Sequence, residues 1–165
     1  MQIEKSDGDL LLAEVKAVFP PEEMPLPAEL TISEDGWGEC IGLRDDLDAV
    51  RGEPITSEIF RLIHQDLRCL SEKGLRWILP DYLRYCISAE GQRSRMETEF
   101  LVYYLSPNLR YRDQALLRLR FLSRDQIECL YHFLDWCSDH PHWRDYFPED
   151  LQKAKEFILQ LLQRL

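Results

Sequence analysis

The stretch "GLRWILPDYLRYCIS", residues 74–88, decides the fold. It places Leu75, Ile78, Leu79, Tyr82, Leu83 and Cys86 at helical spacing around a central Pro80. Proline has no amide N–H, so a helix running through it leaves the carbonyl of Arg76 without its usual donor. The preceding residue, Leu79, is also biased away from helical ψ. At the first position of a new helix both effects cost little. The sequence therefore predicts one short helix over 71–78 and a second over 80–88, joined at an angle at Leu79. One Pro-kinked helix is the competing description.

The flanks read the same way. Ser71 in "LSEKGL" is a helix N-cap, with Leu70 before it and Leu75 at the fourth helical position. "LSRDQI" repeats this with Ser123, Leu122 and Ile127, and adds Gln126 as the partner of a capping box. Ser94 and Glu97 form a further box, opening a helix that buries Phe100, Leu101, Tyr104 and Leu105 before Ser106-Pro107 ends it. Leu11, Leu12, Val15, Val18 and Phe19 repeat at helical spacing, and "PPEEMPLP" (20–27) stops that helix. Cys40, Leu43, Leu47 and Val50 share one face of the next candidate helix, and Phe60, Ile63, Leu67 and Leu70 form the stripe of another. The last helix, from about Glu149, has Leu151, Ala154, Ile158, Leu161 and Leu165 on one side. In "RYRDQALLRLRFL" (110–122), Leu117, Leu119 and Phe121 alternate with arginines as in a strand. With no second strand to pair with, the segment reads as an extended connector or irregular helix. The expectation is an all-α fold: a single compact domain, 1–165, of about seven short helices, with a break near residue 80.

Charge divides the chain unevenly. Net charge is −10, and residues 1–58 hold 15 acids against 4 bases, whereas the helical core over 57–165 is nearly balanced. An acidic N-terminal third disfavours phosphate-backbone binding by that surface. No stretch has the apolar length of a membrane span, and the start lacks the basic region of a secretory signal. Five irregularly spaced cysteines fit reduced thiols and a cytoplasmic location.

"WGEC" near residue 37, "CLSEKGLRWILPDYL" (69–83) and "RFLSRDQIECLYHFLDW" (120–136) resemble, in order, a family of uncharacterised bacterial proteins, a domain of unknown function. That family is similar in a leucine-serine helix start leading to "LPxYL", and in "FLSxxQxxxxxxFL". Trp77 and Ile78 stand where the family pattern has tyrosine or phenylalanine. The resemblance implies a cytoplasmic bacterial domain and supplies no catalytic signature.

The candidate sites are few. His132, Asp135 and Asp139 fall together on one helix face, with His140 and His142 beyond. Converging imidazoles and carboxylates hold divalent metals, which activate water. No HExxH or paired CxxC spacing supports this, and the expectation is no metal and no cofactor. Cys129 and His132 lie one turn apart without a third, orienting group, and His64 sits at the edge of an apolar stripe. Phosphate-loop, dinucleotide and GxSxG motifs are absent from the sequence. Arg110, Arg112, Arg118, Arg120 and Arg124, interleaved with Tyr111 and Phe121, form the one basic cluster; internal pairing or a protein interface is favoured over nucleic acid. Asp45 and Asp48 should face outward near Trp37, and Trp136 should turn away from its helix's apolar stripe, making these four the candidate partner-binding residues. The function expected is protein binding, of an immunity or adaptor kind, through an acidic surface that meets a basic protein. The alternative is a small metal-dependent hydrolase built on 132–142; the absence of catalytic motifs leans against an enzyme.

Overall fold

The computed structural model describes residues 7–32 and 38–165, and among them the fold is all-α. The helices are α1 (Asp7–Val18), α2 (Pro27–Leu30), α3 (Gly38–Ala49), α4 (Ser57–Ile63), α5 (Glu72–Ile87), α6 (Ala89–Ser94), α7 (Met96–Tyr104), α8 (Arg112–Arg118), α9 (Arg124–Ser138), α10 (Pro141–Tyr146) and α11 (Pro148–Gln163). Two 3-10 segments, His64–Cys69 and Leu109–Tyr111, precede α5 and α8. The only extended pairing among the described residues is an isolated antiparallel bridge between Thr31 and Leu70. Eleven α-helices among the described residues replace the expected seven, because the short helices α2, α6, α8 and α10 form in stretches the sequence pattern does not mark as helical. The stripe Phe60, Ile63, Leu67 and Leu70 is buried throughout, yet the chain leaves α-geometry after Ile63, and Asp66 at φ −118° is not helical.

The break expected at Leu79–Pro80 does not form: α5 runs through Pro80 as one helix, the competing description. A proline inside a helix costs about 3 kcal/mol. Against that, Trp77, Ile78, Leu79, Tyr82, Leu83 and Cys86 are all buried, and each large apolar side chain taken from water stabilises by roughly 1.5–3 kcal/mol. Packing on both sides of the proline outweighs one lost hydrogen bond. Ser71 caps the helix as expected, accepting from the Gly74 N–H at 3.0 Å and donating to the Glu29 carbonyl.

The chain divides into two compact units, one of residues 21–101 and one of residues 1–20 with 102–165. In the first, α5 packs with α2 and α6, and α3 packs with α2, α4 and the 3-10 segment that follows α4. Close approach fixes two of its glycines: a Cβ on Gly74 would lie 2.3 Å from the Leu30 carbonyl oxygen, and one on Gly91 would lie 2.0 Å from that of Tyr85. Ser94 does not open α7 as an N-cap. It ends α6, Arg95 takes left-handed geometry at φ 63°, and the Ser94 hydroxyl instead donates to Glu97 Oε2 at 2.7 Å.

In the second unit α9 is central, packed against α1, α10 and α11. Its buried face is Ile127, Leu130, Phe133, Leu134 and Cys137, facing Leu11 and Val15 of α1 and Leu151, Ala154, Phe157, Ile158 and Leu161 of α11. The expected capping box is present: Gln126 N–H donates to Ser123 Oγ at 3.2 Å, and Ser123 N–H donates to Gln126 Oε1 at 3.0 Å. The Gln126 amide also donates to the Val18 carbonyl at 3.1 Å, tying the end of α1 to the start of α9. The ambiguous segment after residue 109 is helical. Leu119 is buried while Leu117 is 59% exposed, so two leucines that strand alternation would put together diverge. Leu165 lies beyond α11 and is exposed, off the inward face expected for it.

Candidate functional site

Helix α3 forms because apolar residues recur at 40, 43 and 47, and these are buried as Cys40, Leu43 and Leu47. Each residue turns the helix by about 100°, so positions four and seven residues on return to one face. Ile41, Asp45 and Asp48 have that spacing, and all three are exposed, Ile41 by 46%. Val50, expected on the inner face, follows the helix and is half-buried. Asp46 is exposed at the flank. Trp37, the aromatic expected beside this surface, lies outside the described residues, as do Glu34 and Asp35.

Three ties hold this helix to its surroundings. Cys40 is disulfide-bonded to Cys69, at the end of the 3-10 segment after α4. The neighbours of those cysteines are paired as well, Arg68 donating to Glu39 at 2.9 Å. Beyond the helix end, Arg51 donates to the Pro25 carbonyl at 2.7 Å and to Asp48 at 2.8 Å. Among the described residues Asp45 meets only the adjacent Arg44, at 3.4 Å. Exposed pairs of this kind add about 0–1 kcal/mol each, leaving both aspartates available to a partner. The disulfide corrects the expectation of five reduced thiols: Cys86, Cys129 and Cys137 are free and buried, while Cys40 and Cys69 are joined. Persistent disulfides belong to oxidising compartments, so the cysteines no longer argue for the cytoplasm. No helix among the described residues is long and apolar enough to cross a membrane.

The residues of 132–142 are engaged separately. His132 Nδ1 lies 2.7 Å from Glu14 Oε1 of α1, and Lys155 of α11 reaches Asp135 at 2.8 Å. His140 Nδ1 lies 2.8 Å from the Trp136 carbonyl oxygen, its ring 4.3 Å from the Trp136 ring centroid. His142 packs edge-on against Trp143. Asp139 caps the end of α9 through its backbone N–H. Among the described residues no group of three or more His, Cys, Asp or Glu is arranged to hold a metal ion, so His132, Asp135, Asp139, His140 and His142 do not make one ligand set. Trp136 is half-buried and stacks on Phe133 at 6.1 Å, so it projects less than its place on the helix suggested. Cys129 is fully buried, and burial pushes its thiol up to about 12, while His132 is exposed and turned to Glu14. No thiolate–imidazole pair results. His64 is half-buried, its Nδ1 2.7 Å from the Arg61 carbonyl oxygen and its ring edge-on to Phe100.

No protein-family model, curated protein or solved structure matches the chain.

A buried polar group lies between α5 and α7. Glu97 is 1% exposed, and the Tyr82 hydroxyl donates to its carbonyl oxygen at 2.7 Å. Burial raises the Tyr82 phenol far above its ordinary range and pushes the nearby Cys86 thiol up to about 12. Neutral, satisfied groups of this kind hold two helices in register. The Ser94–Glu97 spacing was visible in the sequence, but the depth of the carboxylate was not.

Proposed function

We propose that the protein is a binding domain of the immunity or adaptor kind that meets a basic protein through α3. The observation that carries this reading is the exposed row Ile41, Asp45 and Asp48 on a helix anchored by the Cys40–Cys69 bond. Carboxylates on such a row attract a cationic surface and speed encounter, while an exposed isoleucine supplies apolar area to be desolvated on contact. A covalently anchored helix loses little further freedom on binding, which favours affinity. The net charge of −10 adds long-range steering toward a cationic partner. The reading needs no bound cofactor and no catalytic group.

The test uses immobilised wild-type protein beside Asp45→Lys/Asp48→Lys. A basic protein held by the wild type at low salt should be lost from the charge-reversed variant, with the two thermal melts alike. Equal retention by both would make the acidic row a solubilising surface only and overturn the reading.

A further inference from the structure

The turn Leu109–Tyr111 and helix α8 carry a surface opposite in charge to α3. Arg110, Arg112, Arg118 and Arg120 stand within it or directly after it, against Asp113 alone, and Asp113 is itself approached by Arg164 at 3.9 Å. Of the two outcomes expected for these arginines, internal pairing or a protein interface, pairing is not found at Arg110, Arg112 or Arg120, none of which has a carboxylate partner among the described residues. Arg110 lies over the Tyr111 ring at 5.4 Å, and Arg112 Nε is buried with no acceptor. Between them stand Leu109, Tyr111 and Leu117, exposed by 81%, 48% and 59%.

An occupant must bring carboxylate or other anionic groups together with apolar side chains. A nucleic acid fits poorly, because Tyr111 is a single ring beside two aliphatic side chains, Leu109 and Leu117, and the chain's net charge repels a polyanion. A protein face with aspartates beside an aliphatic side chain fits, and α3 is such a face.

We infer that α8 of one copy receives α3 of a second copy. Asp45 and Asp48 meet Arg110 and Arg120, and Ile41 lies against Leu109 and Leu117. The inference rests on the reading of α3 as an interaction face and names its basic partner as this chain itself. The contact is heterologous, so each copy keeps one free face of each kind and assembly continues past the dimer unless a ring closes.

Salt gives this association an unusual signature. At about 0.01 M the screening length is about 30 Å, and two copies of charge −10 repel as whole bodies. Near 0.15 M it falls to about 8 Å, removing that repulsion while the touching charges still attract. At about 1 M the local attraction is screened too. Association should therefore peak at intermediate salt.

Sedimentation equilibrium at the three salt concentrations tests this with wild type, Arg110→Glu/Arg120→Glu, Asp45→Lys/Asp48→Lys, and an equimolar mixture of the two variants. The expected result is wild-type mass above the monomer, greatest near the middle salt. Each variant alone should run as a monomer with an unchanged melt, and the mixture should associate again. A monomeric wild type at every salt, a mass unaffected by either reversal, or a mixture that stays monomeric overturns the inference. If self-association fails but a foreign basic protein is still lost from Asp45→Lys/Asp48→Lys, only the α8 contact falls. If that protein is also retained by the variant, the α3 reading falls with it.

Discussion

Cys40 in α3 is bonded to Cys69, and the residues immediately before them, Glu39 and Arg68, form an ion pair at 2.9 Å. Covalent and ionic ties thus coincide at one point, between the helix that displays Asp45 and Asp48 and the segment leading into α5. The cysteines are 29 residues apart, so the bond closes a loop of moderate length in the unfolded chain.

Loop closure of that length stabilises by roughly 3.5 kcal/mol on the chain-entropy account. Cys40→Ala/Cys69→Ala should lose about that much in urea unfolding, again on the loop-closure account. Alkylation gives an independent count. Unfolded protein without reductant should label at three thiols, Cys86, Cys129 and Cys137, and with reductant at all five. The folded protein at pH 8 should label slowly, because burial holds Cys86 and Cys129 near 12 and few thiolates form. Five labels without reductant would show that the bond is absent.

What the sequence revealed was local. Ser71 and Ser123 were recognisable as caps because each bonds a backbone amide three residues on. The outward placement of Asp45 and Asp48 followed from the positions of Cys40, Leu43 and Leu47 on the same helix. What it hid depends on contacts distant along the chain. Cys40 meets Cys69, and His132 meets Glu14 across 118 residues, through helix packing that no spacing encodes. Pro80 misled for a related reason: the local preference for a break is genuine, but tertiary burial on both sides of it is larger.

Replacing Pro80 with alanine measures that balance. The variant regains an amide N–H for the Arg76 carbonyl, about 3 kcal/mol in helix propensity. It loses two buried ring methylenes at about 0.8 kcal/mol each, and frees the unfolded chain by about 0.4–1 kcal/mol. Pro80→Ala should therefore fold, with stability equal to or up to about 1 kcal/mol above wild type by these same increments. A loss of about 2 kcal/mol or more in the urea midpoint analysis would show that the ring's packing, not the helix bond, dominates at this site.

Two glycine substitutions should move stability in opposite directions. A Cβ on Gly91 meets the backbone of Tyr85 and Cys86, at 2.0 Å and 2.9 Å, and backbone cannot step aside as a side-chain end does. Gly91→Ala should cost about 3 kcal/mol or more, as overpacking against fixed atoms does. Gly42 lies inside α3 with nothing within 4 Å of the added carbon. Gly42→Ala should stabilise by up to about 1 kcal/mol through helix propensity alone. Thermal melts of both variants check the pair, and a stable Gly91→Ala would mean that α6 is not seated so closely on the end of α5.

Asp66 gives a prediction in pH. Its carboxyl is held above the ordinary aspartate range, first by burial and then by the charge of Glu39, with Arg68 and His64 opposing. A folded value above the unfolded one means that the native state binds this proton more tightly. The associated stability is present in acid and is lost as pH rises through the folded value. At neutral pH the ionised carboxylate therefore works against the fold beside the Glu39–Arg68 pair. Asp66→Asn, which stays neutral, should be more stable than wild type at pH 7. Its advantage should shrink as pH falls and disappear below the unfolded aspartate value, near 3.9. Urea midpoints of the two proteins at pH 7 and pH 3 decide it. An asparagine variant less stable at pH 7, or one whose advantage grows in acid, would mean that Asp66 makes a favourable contact as a carboxylate, and that the negative charges around α3 are better accommodated than their proximity implies.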